Sequence, residues 1–129
     1  MRRSGLWHPR LLDLVAGLGH TDLLVIADAG LPVPRGVETV DLVWRWGDPP
    51  FLPVVDAVLG ELVVERAVFA EEARDPELLA GITRLLGHLT VDRVPHTDLK
   101  ALTAHAKAVV RTGEATPYAN VVLTAGVPF

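Results

Sequence analysis

Five consecutive apolar residues, Leu23-Leu24-Val25-Ile26-Ala27, constrain the fold of this chain more than any other feature. A strand with one face in water alternates apolar and polar residues, whereas an unbroken run of this kind is typical of a strand covered on both faces. Helices supply such cover, and helical patterns flank the run. Upstream, Leu11, Leu14, Val15 and Leu18 recur at helical spacing between Arg10 and Leu18, and Gly19 stands where a C′ glycine would close the helix. Downstream, Asp28-Ala29-Gly30-Leu31-Pro32 has the chemistry of a turn.

The same alternation continues along the chain. Val40 to Trp44 is a weaker strand, and Phe51 to Leu59 reads as a helix entered through Pro49-Pro50. Leu62 to Ala70 fits another strand. Asp75-Pro76-Glu77 offers an N-cap and a first-turn proline for a helix that reaches Leu86, with Gly87 after it. Thr90 to Val94 is a short strand. A further helix opens at His96 or Thr97, continues to about Arg111 and stops near Gly113, and Asn120 to Ala125 closes the chain as an apolar strand. Short strands alternating with helices predict an α/β fold: one layered domain over residues 1–129, with a mainly parallel central sheet flanked by helices. The order of the strands is not encoded in this pattern.

Half of the 129 residues are hydrophobic and the mean hydropathy is +0.33. A domain of this size buries only about two-thirds of the surface its unfolded chain exposes, so the apolar surplus needs a destination. A membrane is a poor one. The longest charge-free stretch, Ala115 to Phe129, contains Pro117, Asn120, Gly126 and Pro128, and a spanning helix needs roughly 20 apolar residues. Disorder is excluded by the same apolar content. What remains is a dense globule with a partner surface. Twelve basic residues against 16 acidic ones give a net charge of −4 with no basic run, which sets nucleic-acid binding aside. The absence of cysteine excludes disulfides and thiolate metal sites and points to the cytoplasm. Trp7-His8-Pro9-Arg10 interrupts the N-terminus, so no secretory h-region is expected.

Two clusters of polar residues could carry chemistry. Gly19-His20-Thr21-Asp22 lies in the turn before the first strand, and Asp28 ends that strand. Strand ends and adjoining turns are where α/β proteins place ligand groups, and histidine titrates near neutrality. The plainer alternatives are a histidine that caps the helix end and an aspartate that shapes a turn. The second cluster is Arg111-Thr112-Gly113-Glu114 followed by Pro117-Tyr118-Ala119-Asn120. Tyr and Asn both donate and accept, which suits a polyhydroxyl ligand; the alternative is a C-cap glycine and a loop whose Tyr ring packs on the core. His96 falls at a helix start, where a neutral imidazole is favoured, or serves only as a first-turn residue. His8, His88 and His105 join no constellation. No dinucleotide-binding or phosphate-cradling glycine loop and no nucleophile elbow occur, and nothing near Lys100 or Lys107 in the sequence marks either for a Schiff base. The chemistry on offer is acid, base and hydrogen bonding, with no cofactor.

Several blocks then fall in a telling order: Leu18-Gly19-His20-Thr21-Asp22, Asp28-Ala29-Gly30-Leu31-Pro32-Val33-Pro34, Ala70-Glu71-Glu72, Arg111-Thr112-Gly113-Glu114, Pro117-Tyr118-Ala119-Asn120 and Ala125-Gly126-Val127. Together they resemble the RbsD/FucU family of sugar mutarotases along the whole chain. Gly30-Leu31-Pro32 and Tyr118-Ala119-Asn120 resemble its ribose branch rather than its fucose branch. The resemblance implies that His20 is the proton donor and that Asp28, His96, Tyr118, Asn120 and the backbone of Ala119 contact substrate. It implies an isomerase that interconverts pyranose and furanose forms of a monosaccharide by acid–base ring opening and closing, without metal or cofactor. On that reading Asp28 orients His20 or binds a sugar hydroxyl. The alternatives are a mutarotase for another sugar such as L-fucose, or a non-catalytic sugar-binding oligomer.

The resemblance also gives the apolar surplus a destination. Family members form homo-oligomers, decamers of two stacked pentameric rings with sugar sites at subunit contacts. Val121 to Phe129 and the alternating Trp44 and Trp46 are then the interface candidates.

Overall fold

In the computed structural model, which describes residues 1–129, the chain runs α1 (Pro9–Gly17), β1 (Leu23–Ala27), β2 (Glu38–Asp41), α2 (Phe51–Leu59), β3 (Val64–Ala70), α3 (Pro76–Leu86), β4 (Thr90–Val94), α4 (His96–Thr103), β5 (Ala108–Arg111) and β6 (Val121–Ala125). The six strands form one sheet in the order β2-β5-β1-β6-β3-β4. β2, β5 and β1 pair in parallel, as do β3 and β4, and β6 alone runs antiparallel between β1 and β3. The sheet is therefore mainly parallel, as the sequence pattern predicts.

The unbroken run of β1 is covered on both faces. Leu24 and Ile26 enter a core of 19 buried residues built with α1, α2 and α3, while Val25 and Ala27 enter a second core of eight on the opposite face, closed by Leu99 of α4 and Leu31. β6 divides the same way, with Val121 and Leu123 on one side and Val122 on the other. Each fully buried Leu, Ile or Phe in these layers contributes about 1.5–3 kcal/mol relative to exposure.

The caps follow from the sequence. The Nδ1 atom of His8 accepts the N–H of Leu11 at the start of α1, and Asp75 accepts the N–H of Leu78 at the start of α3. Pro50 has no side chain with which to cap α2, so the carboxylate of Glu114 accepts the Phe51 N–H instead.

Four expectations change. The helix opening at His96 ends at Thr103, and Ala108–Arg111 is a strand slotted between β2 and β1. Its residues also fit a helical period, and only the empty place in the sheet resolves a short apolar run of this kind. Gly113 is consequently no helix cap. Gly19 does not close α1 either: the helix stops at Gly17, Leu18 is extended, and the Gly19 N–H donates to Asp22. Trp44 and Trp46 lie beyond the end of β2, in an exposed turn bridged by Arg45 and Asp48, where Arg45 stacks on the Trp44 ring. Finally, Val121–Ala125 is a central strand, mostly fully buried, so it offers no surface to a partner; of that stretch only the last residues protrude. Much of the apolar surplus thus lies inside the sheet. No helix is long and apolar enough to cross a membrane.

Candidate active site

Asp28, His96 and Tyr118 meet at the carboxyl ends of the parallel strands, the usual ligand edge of an open α/β sheet. Asp28 follows β1, His96 opens α4 directly after β4, and Tyr118 precedes β6, which starts at the same edge because it runs in reverse. They line a cavity of about 250 Å³ together with Leu31, Pro32 and Lys100. A larger hollow of about 370 Å³ lies between α3 and β4, but its one charged group, Arg93, donates to the carbonyls of Ala70, Glu71 and Ala73. That hollow is walled mainly by apolar residues, whereas the smaller cavity gathers Asp28, His96, Lys100 and Tyr118 and is the candidate site.

Asp28 is held firmly. One carboxylate oxygen accepts the Gly30 N–H at 2.9 Å, and the other accepts the Asn120 amide at 3.1 Å. The Asp28 backbone N–H donates to Asn120 Oδ1 at 2.9 Å. Asn120 is fully buried, with both ends of its amide on Asp28, so its place in the site is behind that carboxylate. Ala119 is buried as well, its methyl in the larger core. Tyr118 has φ +64°, a left-handed conformation uncommon for a residue with a Cβ. This turns its ring edge-on to His96, with centroids 5.1 Å apart. The ring also packs against both cores, so it is both a packing residue and a wall of the cavity.

His96 donates its backbone N–H to both oxygens of Glu72, which thereby caps α4. Its Nδ1 is buried without a hydrogen-bond partner, and unpaired buried polar atoms are rare enough to require an explanation. A ligand hydroxyl would supply one. Lys100 follows His96 by one helical turn and brings a cation to the same cavity. The sequence contained that signal, because residues four apart share a helix face.

The Arg111-to-Glu114 block is scaffolding for the Asp28 loop. Thr112 donates both its backbone N–H and its hydroxyl to the carbonyl of Ala27, Arg111 donates to the carbonyl of Ala29, and the Ala29 N–H donates to the carbonyl of Glu114. Gly113 lies against the Asp48 backbone, where a Cβ would collide. Burial alone would raise the pKa of Glu114, but N–H donors from Phe51, Thr116 and Ala115 outweigh it and hold the carboxyl below its ordinary value.

His20 lies elsewhere. It sits in the turn before β1, and the five residues of that strand, at about 3.3 Å each, put about 17 Å between its two ends. Asp28 therefore cannot orient His20 within one chain, contrary to the sequence-based expectation. The partner of His20 is Glu65 of β3, with Nε2 3.0 Å from the carboxylate. No three His, Asp or Glu side chains gather as a metal-ligand set.

The family model for the RbsD / FucU transport protein family matches residues 1–128. The chain belongs to the RbsD/FucU family. It is 53% identical to a D-ribose pyranase of Symbiobacterium thermophilum, with all of both chains covered, and 51% identical to one of Geobacillus kaustophilus, covering all of this chain and 96% of that one. Its fold superposes on the structure of Bacillus subtilis RbsD complexed with D-ribose with a TM-score of 0.95, at 43% identity over the whole of both chains.

Proposed function

We propose that this chain is a D-ribose pyranase, an isomerase that interconverts the pyranose and furanose forms of ribose in the cytoplasm. The observation that carries the reading is the cavity at the strand ends, where Asp28, His96 and Tyr118 present hydrogen-bonding groups in a fold nearly superposable on a ribose-bound relative.

The reaction opens the sugar ring and closes it through a different hydroxyl. Opening delivers a proton to the ring oxygen and removes one from the anomeric hydroxyl; the free aldehyde then rotates and is attacked by another hydroxyl. Asp28 accepts hydrogen bonds from sugar hydroxyls, the unpaired Nδ1 of His96 takes another, and the Tyr118 ring and hydroxyl border the sugar, with Asn120 and the Ala119 backbone fixing the loop. His20 is the proton donor. Because it stands at the far end of the sheet, the His20 that serves a given cavity comes from a second copy of the chain. This supports a closed homo-oligomer with sites between subunits, and the decamer of two stacked pentameric rings that the family resemblance implies is one such assembly. Acid–base assistance of this kind contributes about 10²–10⁴ in rate.

Saturation-transfer NMR on ribose measures the exchange directly. The native protein accelerates pyranose–furanose exchange and a His20→Ala variant does not; undiminished exchange in that variant removes His20 from the reaction. Co-expression of His20→Ala and His96→Ala chains tests the shared site. Mixed assemblies regain exchange that neither variant has alone, and an absence of recovery overturns the two-copy arrangement.

A further inference from the structure

We infer that Glu65 is the positioning residue for His20, holding its ring in the Nε2–H tautomer so that Nδ1 is the atom that exchanges protons with the sugar. The inference rests on the pyranase reading above.

Three local features converge on this contact. First, the pairing of β3 with β6 slips between Val64 and Arg66: Val64 stands opposite Ala125 and Arg66 opposite Thr124. Glu65 is the extra residue of that irregularity, and bulges of this kind re-aim a side chain. Second, Thr21, next to His20, has φ +71°, a costly conformation for a residue with a Cβ, stabilised by its N–H donating to the Ala125 carbonyl. Third, Gly126 packs against Glu65, where a Cβ would come within 3.2 Å of the glutamate's own Cβ. A bulge, a left-handed threonine and a glycine all serve to place one carboxylate 3.0 Å from one imidazole nitrogen.

Stability does not account for this arrangement. The two side chains are 52% and 44% exposed, and exposed ion pairs contribute about 0–1 kcal/mol. Chemistry accounts for it. A carboxylate only accepts, so the nitrogen it faces must carry the proton. With Nε2 so occupied, Nδ1 is the ring atom left to face a substrate. It accepts a proton in the neutral ring and donates one in the imidazolium, whose charge Glu65 offsets. This is the role a carboxylate plays behind many catalytic histidines. The nearby Asp22 is engaged elsewhere, by the Gly19 N–H and by Lys107 at 3.7 Å.

The test compares Glu65→Ala and Glu65→Gln with the native protein, by exchange rate as a function of ribose concentration and by ¹⁵N NMR of the His20 ring. Glu65→Ala should lower the maximal rate about tenfold or more, a part of the roughly 10²–10⁴ that acid–base help supplies, with KM unchanged and the ring signals moved to a mixture of tautomers. Glu65→Gln, whose amide oxygen still accepts from Nε2–H, should keep the tautomer and most of the rate. A native rate or a native tautomer in Glu65→Ala overturns the inference, as does a glutamine variant as slow as the alanine one. Undiminished exchange in His20→Ala removes His20 from the reaction and overturns the inference with it, whereas a native protein that does not accelerate exchange is a different result, since it defeats the pyranase reading itself.

Discussion

Exchanging Asn120 for aspartate replaces one NH2 group by an oxygen and reverses the electrostatics beneath the cavity. In the native protein the amide donates to Asp28 at 3.1 Å, while its oxygen accepts the Asp28 N–H. In Asn120→Asp the second bond survives and the first becomes a contact between two carboxylates. If both stay charged at 3.1 Å, an effective dielectric near 20 gives a repulsion of about 5 kcal/mol. The alternative is for the folded state to bind a proton. With an unfolded aspartate near pKa 3.9 and about 1.4 kcal/mol per pH unit, that costs about 4 kcal/mol at pH 7. Protonation is the cheaper course, and the new O–H then donates to Asp28 as the amide did. The folded-state pKa is thus raised, so the penalty is absent below the unfolded value and grows as the pH rises. Urea unfolding followed by far-ultraviolet circular dichroism, at matched protein concentration, should show a deficit of about 4 kcal/mol at pH 7 that shrinks to about 1.5 kcal/mol at pH 5. A deficit below about 1 kcal/mol at pH 7, or one equal at both pH values, would refute the buried Asn120–Asp28 pairing.

Other substitutions probe the scaffold of the same loop. Gly113→Ala drives a methyl into the Asp48 backbone, and a loss of about 1–3 kcal/mol in urea unfolding is expected. Thr112→Val removes the 2.7 Å hydroxyl bond to Ala27 and the acceptor for the Glu114 N–H, for a loss of about 1–3 kcal/mol by the same measurement. Glu114→Ala uncaps α2 at a cost of about 0.5–2 kcal/mol at neutral pH. Because the folded-state pKa of Glu114 is depressed, that contribution is present above the ordinary carboxyl value of 4.5 and is lost as the pH falls through the lower folded value. The gap between native protein and Glu114→Ala should therefore close in acid.

Most of the layered architecture was legible because the apolar run of β1 demands cover on both faces and Asp75-Pro76 marks a helix start unambiguously. β5 was not, because Ala108-Val109-Val110 satisfies helical and extended patterns equally and only its neighbours β1 and β2 decide between them. The site was legible as residue types and not as geometry. Asn120 was singled out for its amide, but that both ends of the amide turn inward to Asp28 depends on contacts 92 residues apart. Glu65 carried no signal at all: an acidic residue at the start of a strand is ordinary, and the slip in register that aims it at His20 exists only in the sheet.

The distance between His20 and the Asp28 cavity is a property of the fold and not of a flexible loop. β1 lies between His20 and Asp28, bonded to β5 on one side and β6 on the other along its length. No movement short of unpairing the central strand brings His20 to its own chain's cavity. The two ends of β1 also differ in character. The Asp28 side is braced by Asn120, Thr112 and Arg111 and fixed before any ligand arrives, as a preorganised binding surface must be. The His20 side is half exposed and fixed by Glu65. On the proposed mechanism His20 is a proton donor, and one that is oriented but open to solvent gains its catalytic environment only when something covers it. With β1 rigid, the proposed mechanism requires that cover to be the cavity of another chain.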